Sequence, residues 1–150
     1  MPHRHHRRRC FQRSGNVTEQ NLEKIRIISA SRRTDIPAFH GDWLLQKIAA
    51  GGVDVPNPFN RQTYHVPLKP ETTAALVFWS KNYRPFLDKL PLLEKQGYDK
   101  FLFNFTITGH PKLLEPNIPP AEECIDDLIE LSARYGKDKI FWRFDPILPE

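Results

Sequence analysis

The sequence predicts an α/β fold of about four parallel strands with alternating helices plus a small hairpin. Three observations carry this. Short runs rich in Ile, Val, Phe and Trp alternate with longer segments of helical period. Most of the 14 prolines fall between those segments and punctuate them. Polar residues gather just after the apolar runs, where the carboxyl ends of parallel strands carry binding sites. At 150 residues and 39% hydrophobic, the chain can build one domain with a real core.

The elements follow in order. Residues 24–30 (KIRIISA) bring Ile25, Ile27 and Ile28 together in a β-branched run that reads as a buried strand. A polar loop, SASRRTDIP, follows. Residues 38–50 place Phe39, Trp43, Leu44, Leu45 and Ile48 on one helical face, and Gly51-Gly52 ends that helix. Residues 53–55 and 63–66 are short strands about an Asn-Pro-Phe-Asn turn, an expected hairpin outside the main sheet.

Residues 74–79 (AALVFW) form a continuous apolar run, expected for a strand covered on both faces. Asn82 can cap a helix from Tyr83 to about Gln96. Pro85 suits its first turn, Pro91 should kink or split it, and Gly97 ends it. Residues 100–107 (KFLFNFTI) are the third main strand. After a proline-rich loop, Pro120 opens a helix to Tyr135 with Ile125, Leu128, Ile129 and Leu131 facing inward and Gly136 as its stop. Residues 139–144 (KIFWRF) are the fourth strand, ended by Asp145-Pro146. Strand–helix alternation implies right-handed crossovers and a parallel sheet. A doubly wound sheet and half of a (β/α)₈ barrel both fit, since a whole barrel needs about 250 residues.

The formal net charge of +4 belongs to the N-terminus. Arg4, Arg7, Arg8, Arg9 and Arg13 occur there without an acid; without them 17 basic side chains face 18 acidic ones, from totals of 22 and 18. Residues 1–22 lack periodicity and read as a disordered basic tail, with the ordered domain at 23–150. A nucleic-acid-binding fold carries its basic excess on the folded surface, so nucleic acid is not an expected partner. No apolar run reaches membrane-spanning length, and no apolar segment follows the N-terminal charges as a secretory signal requires. A cytoplasmic protein is the expectation. Cys10 and Cys124 share no disulfide or zinc pattern, and His40, His65 and His110 lie in separate segments without metal-ligand spacing.

The candidate site residues are those at the strand ends: Ser31, Arg32, Arg33 and Asp35 after the first, Lys81 and Asn82 after the second, Asn104 in the third, and Arg143 and Asp145 at the fourth. Arg32, Arg33 and Lys81 could together hold a small anion, because guanidinium groups present a planar fork of donors to phosphate or carboxylate. An internal ion pair with Asp35 or Asp145 competes with that for any one of them. Arg143 and Asp145 flank Phe144 and should point to one side as a structural pair. Trp43, Trp79 and Trp142 read as core aromatics.

Six ordered motifs, ISASRRTDIPAFHGDW, NPFN, VFWSKN, FNFTITG, EPNIPP and WRFDPIL, resemble the N-terminal half of domain-of-unknown-function family 1848. The resemblance runs from Lys24 to Glu150. It implies a partial (β/α) barrel, truncated relative to longer members that look like distant relatives of radical-SAM barrels. In such relatives a C-terminal cysteine-rich segment implies an iron–sulfur cluster and S-adenosylmethionine. This chain is expected to bind no cluster, since such clusters use four cysteines and Cys10 and Cys124 are not candidates. Three readings stand: the half of an iron–sulfur enzyme, inactive alone; a non-catalytic anion- or nucleotide-binding α/β domain; and a truncated product without function. Self-association through the exposed sheet edge at 139–144 is the expected failing of a half barrel.

Overall fold

A computed structural model describes residues 25–60 and 62–146. The basic segment 1–22 lies outside the described residues. The chain folds as β1 (Arg26–Ser29), α1 (Ile36–Phe39), α2 (Gly41–Ala49), β2 (Gly52–Pro56), β3 (Thr63–Pro67), β4 (Thr73–Ser80), α3 (Leu90–Lys95), β5 (Phe101–Thr106), α4 (Ala121–Tyr135) and β6 (Ile140–Arg143). β1, β4, β5 and β6 form one parallel sheet in that spatial order, and β2 pairs antiparallel with β3. The α/β class, the four parallel strands, the alternating helices and the hairpin are therefore as the sequence predicts. No helix among the described residues is long and apolar enough to cross a membrane.

The sheet has two unlike faces. Parallel register sets Leu76 beside Phe101, Phe78 beside Phe103 and Ser80 beside Phe105. These side chains, with Tyr83, Phe86, Leu90, Leu93 and Leu131, make the buried core under the helices. Phe78, Tyr83, Phe103 and Tyr135 meet as edge-on, tilted or stacked rings 5–6 Å apart, the geometry that suits aromatic quadrupoles. The alternate residues Val77, Trp79, Leu102, Asn104 and Thr106 share the other face and are only partly covered. The run at 74–79 is thus covered on one face, not on both, because helices pack on one side of the sheet only.

Other expectations need correction for related reasons. β1 is an outer strand rather than a buried one, and Ile27 is 68% exposed. The helix read over 38–50 is two helices broken at His40. Asp35 starts the first by accepting the Ala38 N–H at 3.0 Å, and Phe39 and Trp43 fall on the exposed side while Leu44 and Ile48 are buried. The helix read over 83–96 is a single 3₁₀ turn at Arg84–Phe86 followed by α3; Pro91 sits in the first turn of α3, where its missing N–H costs nothing. On α4, Leu131 and Cys124 face inward, but Ile125 and Ile129 are exposed. Gly136 does end α4, at φ 93°, a left-handed region that suits glycine. None of the three tryptophans is a core residue: Trp43, Trp79 and Trp142 are all substantially exposed.

Candidate functional site

All four main strands run the same way, so their carboxyl ends open on one side. Side chains stitch neighbouring ends together. Ser80 Oγ donates to Asp35 Oδ2 at 2.9 Å, tying the loop after β1 to the end of β4. Lys81 donates to Glu115, which also accepts from Thr108 Oγ1 at 2.9 Å, tying β4 to the β5–α4 loop. Trp142 Nε1 donates to the Ile107 carbonyl at 3.2 Å, tying β5 to β6.

Charge is balanced inside these links. Burial raises the Asp35 carboxyl above its ordinary range, although the Ala38 amide and the Ser80 hydroxyl oppose the shift. Burial would also raise Glu115, but hydrogen bonds from Lys81 and Thr108 outweigh it and hold that carboxyl below the ordinary value. The side chains of Lys81 and Glu115 are both mostly buried. Arg143 grips Asp145 through two bonds, Nη2 to Oδ2 at 2.6 Å and Nε to Oδ1 at 3.3 Å. Its guanidinium lies 4.9 Å from the ring centre of Trp79 on the open face of the sheet. Thr106 is the register neighbour of Arg143, and Asn104 that of Trp79.

The sequence-predicted residues thus fall into three groups. Arg143 and Asp145 pair, as expected, beside Trp79, and Asn104 is the register neighbour of Trp79 on the same open face. Asp35 and Asn82 serve the backbone: Asn82 Oδ1 accepts the Arg84 N–H at 3.1 Å, and its own N–H donates to Ser80 Oγ at 2.9 Å. Arg32 and Arg33 line an open groove beside β1, and Arg33 Nη1 donates to the Pro56 carbonyl. Ser31 is buried, its hydroxyl without a hydrogen-bond partner among the described residues. The Lys81 ammonium is paired with Glu115.

Sequence reasoning missed Glu115 and the place of Trp79. Glu115 sits in EPNIPP, yet its partner lies 34 residues back in the chain, a separation that no local pattern reveals. A second cavity, of about 370 Å³, lies between this loop and the start of α4, with Glu115, His110 and Cys124 in its wall.

The described residues do not fit an iron–sulfur cluster. Among the described residues no three His, Cys, Asp or Glu side chains gather as a metal site. Cys124 is buried, its thiol directed at the Lys81 and Pro119 carbonyls, and burial pushes its pKa up to about 11, which disfavours the thiolate that a metal needs.

Fold and site together define a parallel α/β domain with a polar, internally paired carboxyl edge and an open sheet face. Over residues 27–150 the chain matches the family described as domain of unknown function DUF1848, and it belongs to that family. No curated protein and no solved structure matches it.

Proposed function

We propose that the domain is one wall of a (β/α) barrel and that its carboxyl edge binds a small organic anion. The observation that carries this reading is the Arg143 guanidinium, fixed between the Trp79 ring and the Asp145 carboxylate on the open face of the sheet. Asp145 engages Nε and Nη2, so about three of the five guanidinium N–H donors stay directed elsewhere. Asn104 and Thr106 add an amide and a hydroxyl on the same face. Since Lys81 and Arg143 each have an internal counter-ion, the edge suits one carboxylate or phosphate group rather than a polyphosphate. Binding, not a reaction, is the claim: the iron–sulfur chemistry implied for longer relatives has no ligand set among the described residues.

Calorimetry and thermal-shift titration with benzoate, AMP and inorganic phosphate test the reading. At least one probe should bind saturably, and R143Q should weaken it about tenfold or more, since a hydrogen bond to a charged group contributes roughly 1.5–3 kcal/mol. Absence of saturable binding by all three, or equal binding to wild type and R143Q, refutes it.

A further inference from the structure

Strand register sets three side chains abreast on the open face of the sheet: Trp79 on β4, Asn104 on β5 and Phe141 on β6. The outer two are aromatic, Trp79 36% exposed and Phe141 50%. The middle one is an amide, half-buried between them. Its strand is fixed from the core side, where Tyr83 Oη donates to the Asn104 carbonyl at 3.1 Å. One same-face step further, roughly 6–7 Å along the strands, Thr106 stands in register with Arg143.

This spacing selects a shape. Neighbouring strands lie roughly 4.8 Å apart, so Trp79 and Phe141 rise from backbones about 9–10 Å apart. A flat ring between two others needs about 7–8 Å, twice a carbon–carbon contact. One planar ring therefore fits between them, with its edge toward the Asn104 amide. That amide offers a donor and an acceptor side by side, the complement of a ring N–H next to a ring C=O. An aliphatic anion would leave both aromatic faces uncovered, and a plain benzene ring would leave the amide unpaired. A nucleotide holds its phosphate a whole sugar away from its base, further than the single step from Asn104 to the level of Arg143.

We propose that the anion taken at Arg143 is the carboxylate of a single-ring N-heterocycle, held between Trp79 and Phe141 and read on its N–H/C=O edge by Asn104. The proposal rests on the anion-binding reading above and names the group that sets specificity within it. The Arg143 guanidinium lies 4.9 Å from the Trp79 ring centre, so carboxylate and ring come to the same aromatic side chain.

Calorimetry on the full chain tests this with orotate, a pyrimidine carboxylate that has such an edge, and with benzoate and inorganic phosphate. Orotate should bind about tenfold or more tightly than benzoate, as two neutral hydrogen bonds allow. N104A should bring that ratio close to one while leaving benzoate affinity unchanged. F141A, at an exposed position, should weaken both ring acids several-fold and leave phosphate affinity and the far-ultraviolet spectrum unchanged, and it carries the test should N104A not fold. Equal binding of orotate and benzoate, a ratio that N104A does not move, or ring-acid affinities untouched by F141A overturns the proposal. If R143Q still weakens either acid in that event, the anion site stands and the ring reading alone falls. Binding insensitive to R143Q, or no saturable binding at all, overturns both.

Discussion

Replacing Glu115 by Gln should destabilise the domain in a manner that fades in acid. The carboxylate accepts from Lys81 and from Thr108 and is mostly buried, as is the lysine. Gln keeps the shape and one acceptor oxygen but removes the charge opposite Lys81. A hydrogen bond to a charged group contributes roughly 1.5–3 kcal/mol, and leaving one partner of a buried pair costs more. Lys81 retains some solvent, so about 2 kcal/mol is expected at pH 7, or roughly 6–10 °C in Tm for a domain of this size. The pH dependence follows from linkage. A carboxyl held below its unfolded value of 4.5 contributes stability that is fully present above that value and is lost as pH falls through its folded value. Urea unfolding of wild type and E115Q, followed by circular dichroism at pH 7 and pH 3, reads the difference. Other carboxylates titrate in both proteins and cancel. The gap should narrow in acid; a gap of equal size at both values, or none at pH 7, refutes the account of the loop latch.

Two further outcomes are expected. Phe103→Ala removes a fully buried ring that meets Phe78, Tyr83 and Tyr135, and should cost about 3–5 kcal/mol, visible as a Tm lower by roughly 10–20 °C; a loss below 1 kcal/mol in chemical denaturation would mean that the ring is not at the centre of the core. In a Cys10→Ser background, Cys124 should resist Ellman's reagent at pH 8, because a thiol with its pKa at about 11 is only roughly one-thousandth ionised there and is also shielded, while denaturant should release one reactive thiol; prompt reaction of the native protein would contradict its burial.

The parts of the fold that local pattern governs were legible. β4 and β5 follow from their apolar runs, α4 from its periodicity and Gly136, and the hairpin from its turn residues. What failed depends on which neighbour covers a face. The size of Trp43, Trp79 and Trp142 suggests core, yet each is substantially exposed: Trp43 on the groove side of α2, Trp79 on the open face of the sheet and Trp142 on the outer strand β6. Tyr83 has a polar tip and reads as the start of a helix, yet it is fully buried because its hydroxyl donates to the Asn104 carbonyl at 3.1 Å. Helix spacing placed Ile125 and Ile129 inward, and the same spacing is met by the stripe through Cys124 and Leu131. At the site, the pairing of Arg143 with Asp145 was legible because the residues are two apart on one strand end. The latch between Lys81 and Glu115 was not, because only the parallel pairing of β4 with β5 brings the segments that follow them together.

The lateral links at the carboxyl edge bear on what that edge can bind. Parallel strands have no tight turns to fix one end against the next, so their mouths would splay unless side chains held them. Here Asp35, Ser80, Lys81, Glu115, Thr108 and Trp142 do so. Groups spent in this way are positioning residues, and they cannot also enclose a ligand without breaking a link. Arg143 differs. Asp145 uses one edge of its guanidinium and Trp79 supports one face, which fixes the group while leaving donors unspent. A donor already held in place loses little conformational freedom when it takes a ligand, so more of each bond formed is retained as affinity. On the proposed anion-binding reading, Arg143 on β6, with Asn104 and Thr106 on the same face of the sheet, is the group best prepared to take the ligand.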